Sequence, residues 1–208
     1  MLSDDRFRFV AGLEYECDRR MHVLGFGVTR LSESTNPEQV IKHIGSQNGV
    51  SVIAHPMDSM FEWIEGFEVL PDGIEVWNSK YDGRYAPRPA TFELLNRLQA
   101  RRPRMLAFYG QDMHWKKQYR GLFNVVRATS NAGESLLSAV REGSYHAEKA
   151  KLRLPSDGKV ADIMLARFGR ANARSTRRRG WMKRIKRTLD RVGVSVPASL
   201  KAQLRRMF

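Results

Sequence analysis

Short apolar runs alternate with amphipathic segments through the middle of this sequence, and this alternation is its most restrictive feature. Residues 50–54 and 105–108 contain no charge and have the length of strands covered on both faces. Residues 73–77 repeat the pattern, and between 89 and 102 the apolar residues share one helical face. Strands that alternate with helices form a mainly parallel sheet. The sequence therefore predicts an α/β fold, either a barrel or a doubly wound layer.

The flanking segments continue the pattern. Asn36 followed by Pro37 indicates a helix start, because Asn caps the free backbone N–H groups and proline suits the first helical position. The remaining predicted elements are strands at 7–15, 22–28 and 123–128 and a helix at 132–141.

Composition narrows the class of protein. The chain has 208 residues, of which 42% are hydrophobic and 28% charged, so we expect a globular core and exclude a disordered chain. No apolar run reaches the length of a membrane span, and the charged start MLSDDRFRFV does not favour a signal peptide. The single cysteine, Cys17, indicates a reducing, cytoplasmic compartment, and we expect it to be a small buried residue.

Positive charge is concentrated at the end of the sequence. Residues 161–208 contain 14 Lys and Arg against two acidic residues, a net charge of +12 out of +14 for the whole chain. We therefore divide the chain into a β/α body at 1–160 and a basic helical extension at 161–208.

The extension has the pattern of a basic amphipathic helix from residue 180, a break at 193–197 and a second short helix at 198–208. Such helices lie on anionic membranes, contact nucleic acid through its phosphates, or dock on their own domain with solvated charges. Trp181 and Phe208 resemble interfacial anchors and favour peripheral contact with the membrane over nucleic acid.

Polar side chains follow the predicted strands at the point where each strand ends. His55 follows the strand at 50–54, and Asp112 and His114 follow the strand at 105–108. The spacing of the last two places both on one side if the backbone is extended there. Glu14 and His22 add a carboxylate and an imidazole from the first two strands. The five predict a metal site. The other histidines, His43 and His146, are interpreted as structural.

Five motifs occur in a fixed order between residues 7 and 155. They are GLE at 12–14, HVLGFG at 22–27, VIAHP at 52–56, DGIEVWNSKYDGR at 72–84 and GQDMH at 110–114. This order resembles the PHP family, the polymerase and histidinol phosphatase domains, which are metal-dependent phosphoesterases. The resemblance implies a distorted, TIM-like β/α barrel, and LLSAVREGSYHAE resembles its closing helix and strand.

The resemblance also implies a set of ligands. Glu14 corresponds to a bridging carboxylate, with Glu16 as a rival, and His22 and His55 correspond to the imidazoles of one metal. Asp112 and His114 correspond to ligands of two further metals and to catalytic residues. The family's His-x-His motif occurs nowhere in this sequence, so the resemblance implies a barrel that is incomplete at its N-terminus.

The activity implied is hydrolysis of a phosphorylated small molecule by water activated on Zn, Mn or Fe ions. Lys80, Arg84 and Arg88 are predicted to bind the phosphate. Three further cations on the same rim are Lys116, Lys117 and Arg120, and the nearby aromatic residues are Trp77, Tyr81, Tyr85 and Trp115. Solvated charges and packing are the alternatives for these residues. The alternative function is a degenerate PHP remnant that binds a metal, a membrane or nucleic acid.

Overall fold

Two β-sheets and five α-helices make up the part of the chain that the structure, a computed structural model, describes: residues 8–83 and 85–191. The larger sheet has the strand order β1 (Gly12–Cys17), β2 (Met21–Phe26), β3 (Val50–Ala54), β4 (Gly73–Asn78), β5 (Leu106–Gly110). The smaller sheet is formed by β6 (Phe123–Val126), β7 (Tyr145–Lys149) and β8 (Leu152–Pro155). The helices are α1 (Pro37–Ser46), α2 (Phe61–Glu65), α3 (Pro89–Arg101), α4 (Gly133–Arg141) and α5 (Asp162–Arg191).

The strand directions differ from the predicted mainly parallel sheet. β1, β2 and β3 pair antiparallel, whereas β3, β4 and β5 pair parallel. A three-residue turn joins β1 to β2, and so short a connection permits only an antiparallel pair. The larger sheet is mixed, the smaller one is antiparallel, and the two do not close into a barrel within the described residues.

Local sequence accounts for most of these elements. The Asn36 side chain caps α1 by accepting a hydrogen bond of 3.1 Å from the backbone N–H of Gln39, and Pro37 occupies the first turn, as predicted. All five residues of β3 are buried, which confirms the interpretation of that apolar run. The first strand begins at Gly12, five residues later than predicted, because its ladder with β2 begins at the pair of Gly12 and Phe26.

The hydrophobic core lies between the larger sheet and its helices. α1 packs on β2 and β3, α3 packs on β4, and α4 contacts β3 and β6. Ile44, Phe92 and Trp77 are fully buried in this core. Cys17 is buried as predicted, and burial raises the pKa of its thiol to about 11.

The first turns of α5 pack against the body. Phe168 is buried, and its ring stacks on Phe92 of α3 with ring centroids 6.3 Å apart. The side-chain amide of Asn172 also donates to the carbonyl oxygen of Pro87. Beyond that point the described side chains of α5 are largely exposed.

No helix in the described part of the chain is both long enough and apolar enough to cross a membrane. The predicted break at 193–197 and the second short helix at 198–208, which includes Phe208, lie outside the described residues.

Candidate metal centre

One edge of the larger sheet collects most of the predicted site residues. In the antiparallel pair of β2 and β3, His22 lies opposite Ala54, so His55 follows directly beside it. β4 and β5 run parallel to β3 and therefore also end at this edge. The mixed sheet thus brings the start of β2 to the ends of the three parallel strands.

Glu14, His22 and His55 form a compact group at this edge. The Nδ1 atom of His22 lies 2.6 Å from Oε1 of Glu14. The rings of His22 and His55 meet edge to face with centroids 5.1 Å apart. One ligand atom from each of the three residues lies within 4.8 Å of the others. Although Glu16 is opposite His22 in the ladder, the carboxylate that reaches the imidazole is that of Glu14.

The imidazole of His55 has one ring nitrogen without a partner among the described residues. This atom, Nε2, is buried. Burial lowers the pKa of His55, and the neighbouring His22 lowers it further, so the imidazole is neutral near pH 7. Neutral imidazole is the form that binds metal ions. The ring of Tyr81 covers His55 with centroids 4.5 Å apart.

The donor set fits a divalent transition metal. One carboxylate and two imidazoles are ligands that Zn, Mn and Fe accept, and three protein ligands leave positions for water or substrate. An unpartnered buried nitrogen is otherwise destabilising, and coordination would satisfy it.

Asp112 and His114 lie beside this group but not within it. Asp112 has a φ of 44°, so the condition of an extended backbone, on which the shared side of these two residues depended, is not met at this residue. Its carboxylate nevertheless lies 3.3 Å from Nδ1 of His114, an imidazole that is 59% exposed. The charge of Asp112 acts on His55 and raises its pKa against the effect of burial.

Asp112 is held as a carboxylate. The ammonium of Lys80 lies 2.5 Å from its Oδ2 atom. Burial raises the pKa of Asp112, but hydrogen bonds from Lys80 and Tyr81 and the charge of Lys80 outweigh that effect and lower it overall. The predicted phosphate ligand Lys80 therefore already has an anionic partner.

Arg88, another predicted phosphate ligand, is also paired. Its guanidinium contacts carboxylate oxygens of Asp82 at 2.6 Å and Asp58 at 2.5 Å, and it donates to the carbonyl oxygen of Pro56 at 2.6 Å. Asp82 is almost wholly buried, so Arg88 supplies its counter-charge. The third predicted ligand, Arg84, lies outside the described residues.

The remaining rim residues divide into packed and exposed ones. Trp77 is fully buried, and its indole N–H donates to the Gly83 carbonyl oxygen at 2.9 Å. Trp115, Lys116 and Lys117 are exposed. Arg120 donates to the carbonyl oxygen of Ser79.

Sequence reasoning missed Glu75, which lies beneath the site. Its Oε2 atom accepts from the backbone N–H of His55 at 2.9 Å and from the side-chain amide of Asn78 at 3.0 Å. Burial raises the pKa of Glu75 to about 7, although these two hydrogen bonds lower it. The available signal was a single charge within a strand whose residues are all buried.

The other two histidines match their structural interpretation. His43 Nε2 lies 2.9 Å from the Arg30 carbonyl oxygen. His146 is buried on β7, and its Nε2 lies 2.8 Å from a carboxylate oxygen of Glu148.

A cavity of about 690 Å³ opens beside the metal group. His22 and His55 line one part of it, and Arg20, Tyr81 and Arg88 line other parts. Its volume is in the range of sites that bind small molecules.

Comparison with known proteins found structural similarity but no match in sequence. No family model matches the sequence, and no curated protein matches it. The chain is similar to a two-domain protein containing a predicted PHP-like metal-dependent phosphoesterase from Bacteroides vulgatus ATCC 8482, with 13% identity and a TM-score of 0.45. The match covers 78% of this chain and 49% of that one, so the chain spans about half the length of the protein it matches. This similarity assigns the chain to no family.

Proposed function

We propose that this chain binds a divalent cation through Glu14, His22 and His55 and hydrolyses phosphate esters, as PHP-type phosphoesterases do. The observation that carries the proposal is the grouping of one ligand atom from each of these residues within 4.8 Å of the others. The buried Nε2 atom of His55, which has no hydrogen-bond partner among the described residues, supports it. The order of the sequence motifs supports the same family, and in this proposal the larger sheet is a section of its distorted barrel.

Each residue of the site has a role that follows from its position. A bound Zn, Mn or Fe ion would lower the pKa of water and neutralise phosphate oxygens. Glu14 fixes the ring orientation of His22 through the 2.6 Å contact. Asp112, kept ionised by Lys80, adds negative charge beside His55 and is placed to accept a proton. His114, adjacent and exposed, can exchange that proton with solvent.

Metal binding tests the first half of the proposal. The full chain is stripped with chelator and titrated with Zn²⁺ or Mn²⁺ by calorimetry, with metal content checked by mass spectrometry. His22→Ala and His55→Asn should each weaken binding at least about tenfold. Asn is chosen because His55 has a φ of 32°, a backbone region that Asn tolerates. His43→Ala, which alters a histidine outside the group, should bind like the wild type. A wild-type chain that takes up no metal would refute the proposed site.

Hydrolysis of an aryl phosphate tests the second half. Turnover should appear only with metal and should fall at least about a hundredfold in Asp112→Asn, while the metal affinity of the Glu14 group falls much less. Equal turnover of Asp112→Asn and wild type would contradict the role given to this carboxylate. A metal-loaded chain without any turnover would favour the degenerate, metal-binding alternative.

A second proposal concerns α5, which we propose contacts anionic membrane surfaces. The helix carries 11 basic residues against two acidic ones. Its described basic side chains beyond residue 173 are exposed, and Trp181 is 62% exposed. An exposed Trp on a basic helix is typical of interfacial binding.

Vesicle sedimentation with point variants tests this proposal. The helix is not deleted, because its residue Phe168 is part of the core. Binding to phosphatidylserine vesicles should fall steeply with salt. It should be lost when four exposed arginines of α5 become Gln: Arg177, Arg178, Arg184 and Arg187. The matched control replaces four exposed cations of the body: Arg104, Arg127, Lys151 and Lys159. Unchanged vesicle binding by the α5 variant would reject the proposal, and binding to an oligonucleotide but not to vesicles would replace it.

A further inference from the structure

The turn between β1 and β2 has an unusual backbone. Arg19 and Arg20 have φ angles of 56° and 60°, in the left-handed region that non-glycine residues rarely adopt. Six such residues occur in the described part of the chain, and His55 and Asp112 are two of the others. Left-handed backbone therefore recurs around the candidate metal centre, as strained residues do at functional sites.

Both residues that precede Arg20 in this turn are held in place. The backbone N–H of Asp18 donates to the Thr35 carbonyl oxygen at 2.8 Å, and its carboxylate accepts from the Thr35 hydroxyl at 2.7 Å. The guanidinium of Arg19 lies over the ring of Trp63, 4.6 Å from its centroid. Thr35 and Trp63 therefore hold the two residues before Arg20 in place. The position of Arg20 follows from that of these two neighbours.

Arg20 lines the 690 Å³ cavity together with His22 and His55. Within the described residues the structure gives its guanidinium no hydrogen-bond or ion-pair partner. The other cation of the cavity lining, Arg88, is paired with Asp82 and Asp58. Of the two arginines described in this lining, Arg20 is therefore the one whose N–H donors are available to a ligand.

We propose that Arg20 binds the phosphoryl group of a small phosphomonoester in this cavity. A guanidinium presents paired donors that match phosphate oxygens. Met57, Met60 and Tyr81 line the same cavity and offer an apolar surface for the organic part of such a molecule. This inference rests on the proposed function, because the phosphomonoester is the substrate class of that reaction. The role it assigns to Arg20 is separate, since Arg20 binds the phosphate and not the metal.

Phosphate binding by the full chain tests the inference, and Arg20→Gly is the informative variant. Glycine adopts left-handed backbone without strain, so this variant should fold at least as stably as the wild type, measured by thermal unfolding. Calorimetric titration with inorganic phosphate should show at least about tenfold weaker binding in Arg20→Gly, both in the metal-loaded and in the chelated protein. Arg20→Lys, which keeps the charge but loses the paired donors, should fall between the two. Arg104→Gly, a change at an exposed arginine of the body, should bind phosphate like the wild type.

The outcomes separate this inference from the proposed function. Equal phosphate affinity in wild type and Arg20→Gly would overturn the role of Arg20, whatever the metal does. A wild-type chain without metal affinity would overturn the proposed function, whereas loss of phosphate binding in the chelated Arg20→Gly protein would still support this inference. The Zn²⁺ affinity of Arg20→Gly should equal that of the wild type, and a parallel loss of metal and phosphate would contradict a role confined to phosphate.

Discussion

Glu75 makes the stability of this protein depend on pH, and Glu75→Gln should remove that dependence. The carboxyl group is buried beneath His55, and its pKa lies at about 7 in the folded chain against an ordinary value of 4.5. Between these values the folded chain binds a proton that the unfolded chain has released. Stability therefore falls as pH rises from about 4.5 through about 7, with the full loss present above that.

The interval between the two pKa values corresponds to a loss of about 3 kcal/mol in the free energy of unfolding of the wild type. Glu75→Gln keeps the size of the side chain and an oxygen to accept from the N–H of His55, but it has no charge to bury. Relative to the wild type, the variant should therefore gain about 3 kcal/mol in free energy of unfolding between about pH 4.5 and about pH 8.

Urea unfolding at several pH values, with chelator present so that no metal contributes, measures this difference directly. Glu62→Gln, at an exposed glutamate of α2, is the matched control and should follow the wild type at every pH. The reasoning would be refuted by a stability difference between Glu75→Gln and wild type that stays constant across this range. Such a result would mean that Glu75 titrates alike in the folded and unfolded chain.

Three further predictions concern packing and charge. Gly110→Ala should destabilise the fold by about 2 kcal/mol or more in urea unfolding, because its Cβ would overlap the carboxylate of Glu75. Gly45 lies at an exposed position of α1, where an added Cβ meets nothing nearby, so Gly45→Ala should instead stabilise by about 0.5–1 kcal/mol. A loss of stability in that variant would contradict this account. Arg88→Ala should lower the free energy of unfolding by about 3 kcal/mol by leaving buried Asp82 without its counter-charge. An Arg88→Ala protein of wild-type stability with weakened phosphate binding would restore the ligand role predicted for Arg88 from sequence.

Local signals accounted for much of the fold. The cap at Asn36 and the uncharged run of β3 each specify their element through neighbouring residues, and both were predicted. The direction of β3 beside β2 was not predictable in this way, because it depends on how the chain returns to the sheet after α1. The hairpin of β7 and β8 carries a weaker pattern, and β8 is only four residues long.

The site shows the same division between local and tertiary information. Glu14, His22 and His55 were predictable as candidates because polar residues stood at strand ends, and the sheet register then brought them together. Arg88 pairs with Asp58, which is thirty residues away, and this contact depends on tertiary packing. The sequence therefore could not show that Arg88 is already paired and is not a free phosphate ligand. The left-handed backbone of Arg20 has no signal in its residue type, since arginine rarely adopts it.

Helix α5 packs on the core through Phe168 and continues as one helix beyond that contact, and this continuity affects how any partner would be bound. Starting a helix is unfavourable, whereas extending an existing one is easy. The turn fixed by Phe168 and Phe92 therefore acts as a template for the basic residues that follow. Over about 32 Å of helix, from Arg170 to Arg191, the spacing of those cations is set before any encounter. Binding of a polyanion to this preorganised row would cost less conformational entropy than binding to the same residues in a coil, which would have to become ordered.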